Sequence, residues 1–311
     1  MYGADLRPGL DWVSVGIRGI IGTRGELILN ERIVAFQGTH GAYSEEAIHR
    51  HFGDDVTTLP CEDFADIFDA IRRGKATHGM LPVENALTGT VAGAYELLTE
   101  HDFRVQAEIL LPIEHQLLVP EDMAVEDIQR VKSHPQALAQ CADTLQRRGW
   151  EAVAAYDTAG AAQALAEKPE PNTAVLASAL AGKRYGLKTV EVNMEDEPGQ
   201  NSTRFFAIGV EDAQRRDPSK TSLIFAVRHK PRALYDCLGA FALRNINLTK
   251  IESRPLRGRP WQYWFLLDFE GHWRDPGAEA ALVDLLRQAS MVKMLGSYPA
   301  AFGGPNTGNG A

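Results

Sequence analysis

Hydroxyl, amide and guanidinium groups that could hold a small anion occur in a few short polar segments. The Thr203 hydroxyl could hydrogen-bond a leaving oxygen atom. Threonine is intrinsically a poor acid, so its contribution would rest on geometry and on stabilising developing charge. The Arg204 guanidinium is suited to bidentate binding of a carboxylate. Asn85 and Gln136 supply neutral donors, and together these groups favour a site that clamps a small anionic molecule.

Each of these residue types also has an ordinary structural role. Thr is common in strands because of its β propensity, Asn and Glu after Pro are common in turns, and Ser-x-Pro is a frequent helix cap. The functional interpretation therefore rests on several such segments occurring together.

Charge and cysteine content argue against other kinds of site. The formal net charge of -9 disfavours a nucleic-acid or anionic-membrane partner. The 3 cysteines are far apart and form no Cys-x-x-Cys pair, which predicts reduced core thiols. The 9 histidines show no metal-ligand spacing, so we expect no metal site.

The ends of the chain carry little folding information. No apolar run approaches the length of a membrane span, and Asp5, Asp11 and Glu26 interrupt any signal-like N-terminus. We therefore expect a cytoplasmic protein with no membrane partner. Residues 1–31 are predicted to be an N-terminal extension, and residues 301–311 a flexible tail.

From Ile33 onward, short apolar runs alternate with amphipathic stretches, which is typical of an α/β fold. The i, i+3, i+4, i+7 apolar face from Phe64 to Ile71 predicts a helix that Gly74 ends. Strands are predicted over 33–36 and 79–83, the second ending in a polar turn at Glu84-Asn85. Helices are predicted from near Ser44 and through Tyr95, Leu97 and Leu98.

A second α/β lobe is predicted after Pro112. Its strands are expected at 117–119, 152–156 and 173–177, with one helix running through Leu138, Cys141, Ala142 and Leu145. The chain is expected to return near Val190 and add a strand over 203–208. The catalytic region over 32–212 would then have one lobe at about 32–111 and 190–212 and another at about 112–189, with a ligand cleft between them.

The polar stretch over 213–220 is predicted to be a linker, followed by a separate domain over 221–300. Its element order, β-α-β-β-α-β, indicates a ferredoxin-like sandwich. The strands are predicted at 222–227, 248–252, 261–269 and 292–295, and the helices at 231–244 and 278–289.

Four segments in this order resemble the signature set of the prephenate dehydratases. They are Gly38-Thr39-His40-Gly41-Ala42-Tyr43-Ser44, Pro82-Val83-Glu84-Asn85, Ser133-His134-Pro135-Gln136 and Asn201-Ser202-Thr203-Arg204-Phe205. A fifth, Glu252-Ser253-Arg254-Pro255 after Asn245-Ile246-Asn247-Leu248, resembles the ACT regulatory domain that follows the catalytic part in this family.

The resemblance implies a two-lobed catalytic domain like a periplasmic binding protein. It also implies the decarboxylating dehydration of prephenate to phenylpyruvate, CO2 and water, as a step in L-phenylalanine biosynthesis. Aromatisation drives that reaction, so no cofactor is required. Thr203, Asn85 and Gln136 would be catalytic, and substrate-binding roles would fall to Arg204, Ser44, Thr88, Ser133 and Phe205.

The sequence leaves the roles of Arg204, His134 and Glu84 open. Adjacent strand residues point to opposite faces, so Thr203 and Arg204 cannot both face inward unless the strand bends or bulges; otherwise Arg204 braces the site from behind. His134 beside Pro135 favours a structural role at a helix start. Glu84 would repel a dianion, which favours an indirect role.

The same resemblance implies that L-phenylalanine is an effector, bound between paired ACT domains of a homodimer or homotetramer. The expected allosteric residues are Ala233, Leu234, Asn247, Leu248, Glu252, Ser253 and Arg254. Arg232 stands where the family commonly has Gly, a departure at the ligand loop. The alternative is a purely structural dimerisation domain.

Two other functions remain open from the sequence. One is a non-enzymatic small-molecule binding protein, because the two-lobed plan is shared with transport receptors. The other is arogenate dehydratase, the same chemistry on the amino-acid counterpart of prephenate. Turnover of the two substrates would separate these possibilities.

Overall fold

The computed structural model describes residues 32–255 and 263–301. The first lobe is built on a mixed sheet that begins with a buried parallel strand and alternates strands with helices. Its elements before the first crossover are β1 (Ile33–Gln37), α1 (Tyr43–Phe52), β2 (Thr57–Cys61), α2 (Phe64–Arg72), β3 (His78–Asn85), β4 (Gly89–Thr90), α3 (Ala92–Glu100) and β5 (Arg104–Pro112).

Local sequence explains these elements. The α2 helix begins at a capping box in which the Asp63 and Asp66 side chains each accept a backbone N–H of the other, and its apolar face, including Ile67 and Phe68, is buried. The strand β1 is apolar along its length and lies inside the sheet, paired in parallel with β2 and β3.

The second lobe carries a 5-stranded sheet in the order β10-β6-β9-β7-β8. Its elements are β6 (Gln116–Val119), β7 (Arg130–Ser133), α4 (Pro135–Gln140), α5 (Ala142–Arg148), β8 (Glu151–Ala154), α6 (Thr158–Glu167), β9 (Thr173–Ala177), α7 (Ala179–Tyr185) and β10 (Lys188–Glu191). The chain then returns to the first sheet as β11 (Ser202–Gly209), which lies between β3 and β5.

Two chain segments join the lobes, and they are hydrogen-bonded to each other. Ile113 N–H donates to the Asn201 carbonyl at 3.0 Å, and Met194 N–H donates to the His115 carbonyl at 3.0 Å. Residues on these crossovers therefore lie at the hinge between the lobes.

The C-terminal domain is a 4-stranded antiparallel sheet in the order β13-β14-β12-β15. Its elements are β12 (Ser219–Val227), α8 (Ala233–Ala242), β13 (Leu248–Pro255), β14 (Tyr263–Glu270), α9 (Pro276–Gln288) and β15 (Ala289–Pro299). One face of the sheet packs with α8 and α9, while Ile224, Leu266 and Tyr298 from the other join a core shared with the first lobe.

The α/β fold with two lobes and a ferredoxin-like C-terminal domain is confirmed, with local corrections. The polar pair Glu84-Asn85 is not a turn, because both residues continue β3 in pairing with β11. The predicted single helix through Cys141 is two helices, broken where Cys141 leaves helical geometry. Val190 belongs to the second sheet, because β10 pairs with β6, so the chain returns later than expected.

Other predicted boundaries differ from the observed ones or lie outside the described residues. The end of the predicted linker, Ser219-Lys220, begins β12 because both residues pair with β15. The expected extension over 1–31, the tail beyond residue 301 and the strand start at Trp261 lie outside the described residues.

Candidate active site between the lobes

A cavity of about 270 Å³ lies between the two lobes. Both lobes contribute to its wall, since Pro82 and Thr203 come from the first sheet and Ala137 and Thr158 come from helices of the second lobe. Five of the predicted site residues line it, namely Ser44, Asn85, Gln136, Thr203 and Phe205. The structure thus brings together residues that are far apart in the sequence, from Ser44 to Phe205.

Thr203 and Asn85 form the centre of the site. They are opposite each other in the pairing of β11 with β3, and both are buried. Asn85 Nδ2 donates to Thr203 Oγ1 at 3.0 Å. Asn85 Oδ1 accepts from the N–H groups of Leu87 and Thr88, both at 3.1 Å, which holds the amide with its nitrogen toward Thr203.

The orientation of this hydrogen bond leaves the Thr203 proton available. A hydroxyl has one hydrogen and two lone pairs. Because Asn85 donates to one lone pair, the O–H of Thr203 is free to donate to a molecule in the cavity. The pair is therefore a preorganised neutral hydrogen-bond donor, of the kind that stabilises negative charge on a departing oxygen.

A chain of hydrogen bonds extends from Asn85 into the second lobe. Asn85 Nδ2 also donates to Asn201 Oδ1 at 2.8 Å, and Asn201 Nδ2 donates to Gln140 Oε1 at 3.0 Å. Gln140 Oε1 lies 2.9 Å from His115 Nε2, and His115 Nδ1 lies 2.7 Å from the Tyr43 hydroxyl. The chain crosses the hinge, so the site geometry depends on how the lobes are arranged.

Burial keeps the histidine in this chain neutral. Desolvation lowers the pKa of His115 from its usual 6.5, and the hydrogen bond to Gln140 and the charge of Glu195 only partly oppose that effect. A neutral imidazole fits both neighbours, because Nε2–H can donate to Gln140 while Nδ1 accepts from Tyr43. Desolvation, followed by the charge of Glu195, raises the pKa of Tyr43, which keeps its proton.

The wall of the cavity suits an anion without supplying a formal cation. Among the described residues that line it, none is Lys or Arg. Tyr43 and Ser44, the first residues of α1, line the cavity, and the cap residue Ala42 offers no side-chain acceptor to the first turn. The N-terminal turn of a helix favours negative charge. Within the described wall, an anion would therefore be held by neutral donors and by the N-terminal turn of α1.

Three predicted substrate-binding residues do not line the cavity. Ser133 is fully buried in the second sheet, where its hydroxyl donates to the Leu176 carbonyl at 2.7 Å. Thr88 is exposed and contacts Asn85 Oδ1 from behind. Arg204 points to the opposite face of the sheet from Thr203, because the bulge in β11 follows Arg204 and does not turn it inward. Of its two predicted roles, bracing is the one the geometry supports.

His134 and Gln136 sit at the start of α4. His134 is the cap of that helix, since its Nδ1 accepts from Gln136 N–H at 3.2 Å, as its structural interpretation predicts. The Gln136 side chain remains exposed at the cavity wall, on the opposite lobe from Thr203. It can therefore contact a molecule that fills the cavity.

The predicted allosteric residues lie in the C-terminal domain in two groups. Ala233 and Leu234 begin α8, the helix that follows Arg232. Glu252 and Arg254 on β13 both contact Thr90 of the catalytic region. Asn247 Nδ2 donates to Glu270 at 3.0 Å, while Leu248 and Ser253 pair with Phe269 and Phe265 of β14.

Sequence reasoning missed three polar residues of the site, namely Asn201, His115 and Gln140. Asn201 lies inside a quoted segment, whereas His115 and Gln140 stand in stretches that carry no distinctive pattern.

Within residues 32–255 and 263–301, no group of three or more His, Cys, Asp and Glu could hold a metal ion. None of the helices there is long and apolar enough to cross a bilayer.

Comparison with known proteins adds independent evidence. A family model described as prephenate dehydratase matches residues 34–213, more than half of the chain. The chain is 40% identical over 283 residues to a protein of Arabidopsis thaliana named arogenate dehydratase/prephenate dehydratase 2, chloroplastic, covering 86% of this chain and 72% of that protein.

Two solved structures are similar over most of the chain. One, prephenate dehydratase from Arthrobacter aurescens in complex with L-Phe, has a TM-score of 0.79 and 29% identity, covering 86% of this chain and 90% of that one. The other is titled as GqqA, a novel type of quorum quenching acylase, with a TM-score of 0.80 and 37% identity over 87% of this chain and 98% of that one.

Proposed function

The chain belongs to the prephenate dehydratase family, and on that premise we propose that it converts prephenate into phenylpyruvate, CO2 and water. The observation that carries this proposal is the Asn85–Thr203 hydrogen bond at the wall of the cavity between the lobes. It leaves the Thr203 hydroxyl proton free to donate to a molecule in the cavity.

The proposed reaction needs one proton donor and no oxidant. The electron pair of the bond between the ring and its carboxylate enters the ring as CO2 departs, and the ring expels its hydroxyl group as the double bonds become aromatic. Thr203 O–H donates a hydrogen bond to that departing oxygen, which becomes water by taking a proton supplied through solvent. The protein contributes positioning and charge stabilisation.

The absence of cations from the described wall fits this chemistry. A strong cation beside the ring carboxylate would stabilise the group that must be lost, and would bind the substrate better than its transition state. The neutral amides of Gln136 and Gln140 can hold oxygen atoms without that effect. Gln136 would approach from the second lobe as the cleft closes.

Arogenate is the second candidate substrate, and one residue of the cavity favours it. Asp157 is the acidic residue among the described residues of the wall, and arogenate carries an ammonium group that a carboxylate can pair with. Asp157 also caps α6 by accepting from Gly160 N–H. The variant Asp157→Asn keeps an amide oxygen for the cap and removes the charge, so it should lower kcat/KM for arogenate more than for prephenate.

We also infer that L-phenylalanine binds the C-terminal domain and inhibits the enzyme. Support comes from the L-Phe complex of the Arthrobacter aurescens relative and from the contacts of Glu252 and Arg254 with the catalytic region. Saturating phenylalanine should raise Tm and lower turnover, because it must favour one of two arrangements. Unchanged Tm and unchanged turnover would contradict this inference.

A homodimer or homotetramer is the assembly we propose. Tyr235 and Leu243 on or next to α8, and Val283 and Leu286 on α9, are exposed apolar side chains of one domain. Exposed apolar patches are typical of interaction surfaces. Light scattering on the purified chain tests this assembly, and a monomer at working concentration would contradict it.

The direct test of the enzyme is the formation of phenylpyruvate from prephenate by the purified protein, with arogenate assayed in parallel. Turnover of prephenate supports the proposal. Turnover of arogenate alone would show that arogenate is the substrate. Turnover of neither compound would favour a binding protein.

A further inference from the structure

The residues next to the catalytic pair face the C-terminal domain. In the pairing of β11 with β3, Thr203 lies opposite Asn85 and Arg204 lies opposite Glu84. Side chains alternate between the faces of a sheet. Thr203 and Asn85 therefore line the cavity, while Arg204 and Glu84 reach the other face, where Arg204 Nη1 lies 3.7 Å from Glu84 Oε2.

Arg204 is held by a buried cluster that spans both domains. Its Nε donates to Glu108 of β5 at 2.8 Å, and its Nη1 donates to Asp268 of β14 at 2.6 Å. Its Nη2 donates to the Tyr298 hydroxyl at 3.0 Å. Burial alone would raise the pKa of Glu108, but Arg204 and Lys220 outweigh it, and the pKa is lowered. Glu108 is therefore tightly paired with Arg204 and Lys220, which favour its carboxylate form.

Glu84 has its own partner in the C-terminal domain. Lys250 of β13 lies 2.8 Å from Glu84 Oε1, and its amine also donates to Thr90 Oγ1 at 3.2 Å. Thr90 pairs with Glu84 across β4 and β3, and its hydroxyl also donates to Glu252. The Lys250 side chain is only 9% exposed. Each member of the catalytic pair thus has a chain neighbour bonded to the C-terminal sheet.

We propose that the C-terminal domain positions the catalytic pair, with Asp268 acting on Thr203 through Arg204 and Lys250 acting on Asn85 through Glu84. The proposal rests on the proposed function and extends it. Arg204, Glu84, Asp268 and Lys250 are positioning residues, since they touch the strands that carry Thr203 and Asn85 rather than the cavity. A shift of β13 or β14 would move both strands at the site, which gives an effector on that domain a route to turnover.

Charge pairs of this kind are sensitive to the loss of one partner. Breaking a buried pair leaves an uncompensated charge and lets the surviving side chain seek another arrangement. A displacement of the hydroxyl of Thr203 by a fraction of an ångström would reduce transition-state stabilisation more than substrate binding. The expected signature is a fall in kcat with little change in KM.

The test compares prephenate turnover by the full-length wild type with the variants Asp268→Asn and Lys250→Met, at a temperature well below every measured Tm. Each variant should lower kcat by about tenfold while KM stays within about twofold. Lys250→Arg keeps a cation that can reach Glu84, so it should restore most of the wild-type kcat.

Lys293→Met is the matched control. Lys293 also links the domains, donating from β15 to the carbonyls of Thr99 and His101 at 2.9 and 2.8 Å, and these hydrogen bonds reach neither β3 nor β11. Its loss should lower Tm and leave kcat near wild type. Wild-type kcat in both Asp268→Asn and Lys250→Met, or an equal fall in Lys293→Met, would overturn the positioning proposal alone. A wild-type protein inactive on prephenate and arogenate would overturn the proposed function, and the positioning proposal with it.

Discussion

Asn201 donates to Gln140 at 3.0 Å, and this hydrogen bond joins the Asn85–Thr203 pair to the second lobe. Asn201 lies on the returning crossover and also accepts from Asn85 at 2.8 Å, while Gln140 ends α4. The position of Asn85 is thus connected to a helix of the opposite lobe through two amides. A change in the arrangement of the lobes would therefore alter the hydrogen bonds that hold Asn85.

Removing the Gln140 amide should therefore impair turnover. Gln140→Met has a similar volume but leaves the donors of Asn201 and His115 without their common acceptor, a loss worth roughly 1–3 kcal/mol. We expect kcat to fall by about tenfold, with a lower Tm. Steady-state kinetics and calorimetry measure both. Gln146→Met on the exposed side of α5 is the control, and equal effects in the two variants would contradict the role of Gln140.

Acid should weaken the protein through His115. Burial lowers its pKa from 6.5, so the unfolded chain takes up the proton first as the pH falls. Neutral His115 contributes its full stabilisation at a pH above the pKa that the residue has in the unfolded chain. This stabilisation is lost as the pH falls from that pKa toward the lower pKa of the folded protein. When the pH is lowered from about 7 to about 5.5, the Tm of the wild type should fall further than the Tm of His115→Gln. An equal loss would show that His115 does not carry this dependence.

The close approach of Gly41 to the second lobe should not tolerate a side chain. Gly41 has φ +89, and a Cβ there would lie 2.8 Å from the Cα of Ala181 in α7. Gly149 has left-handed geometry (φ 69, ψ 26) with open space around it, so Gly149→Ala measures backbone strain without a clash, about 1–2 kcal/mol. Gly41→Ala should lower Tm further and reduce kcat by separating the lobes. Similar Tm values in the two variants would contradict the clash.

Arg232 stands at a backbone position that favours glycine. It has φ 69 and ψ -8 at the cap of α8, where the family resemblance expects Gly. Left-handed geometry costs a side-chain-bearing residue about 1–2 kcal/mol. Arg232→Gly should raise Tm by a few degrees, although its loss of the Asp236 contact partly offsets the gain. Asn245→Gly, at φ 58, should gain less because Asn tolerates this region.

The sequence predicted the elements whose signals are local. The apolar face from Phe64 to Ile71 and the β-α-β-β-α-β order needed only periodicity and turn residues. The break between α4 and α5 at Cys141 could not be predicted, because neither Gly nor Pro stands there. The Glu84-Asn85 pair has the composition of a turn, and its pairing with β11 and β4 makes it part of a strand.

The site was predictable in its centre but not in its surroundings. Thr203, Asn85 and Gln136 come from segments that recur together, so their common cavity followed from the family resemblance. The direction of Arg204 and the burial of Ser133 depend on which sheet faces are covered, and that is decided by tertiary packing. His115 and Gln140 reach the site only because the two crossovers pair at the hinge.

The most direct measurement is phenylpyruvate formation from prephenate by wild type, Thr203→Ser and Thr203→Val, with a chelator present and folding checked by Tm. Thr203→Val keeps the shape and loses the hydroxyl. The account predicts a loss of kcat of about a hundredfold or more in Thr203→Val, the scale of losing one oxyanion donor, with substantial activity kept in Thr203→Ser. A folded Thr203→Val enzyme that turns over at the wild-type rate would contradict the central role of the Thr203 hydroxyl.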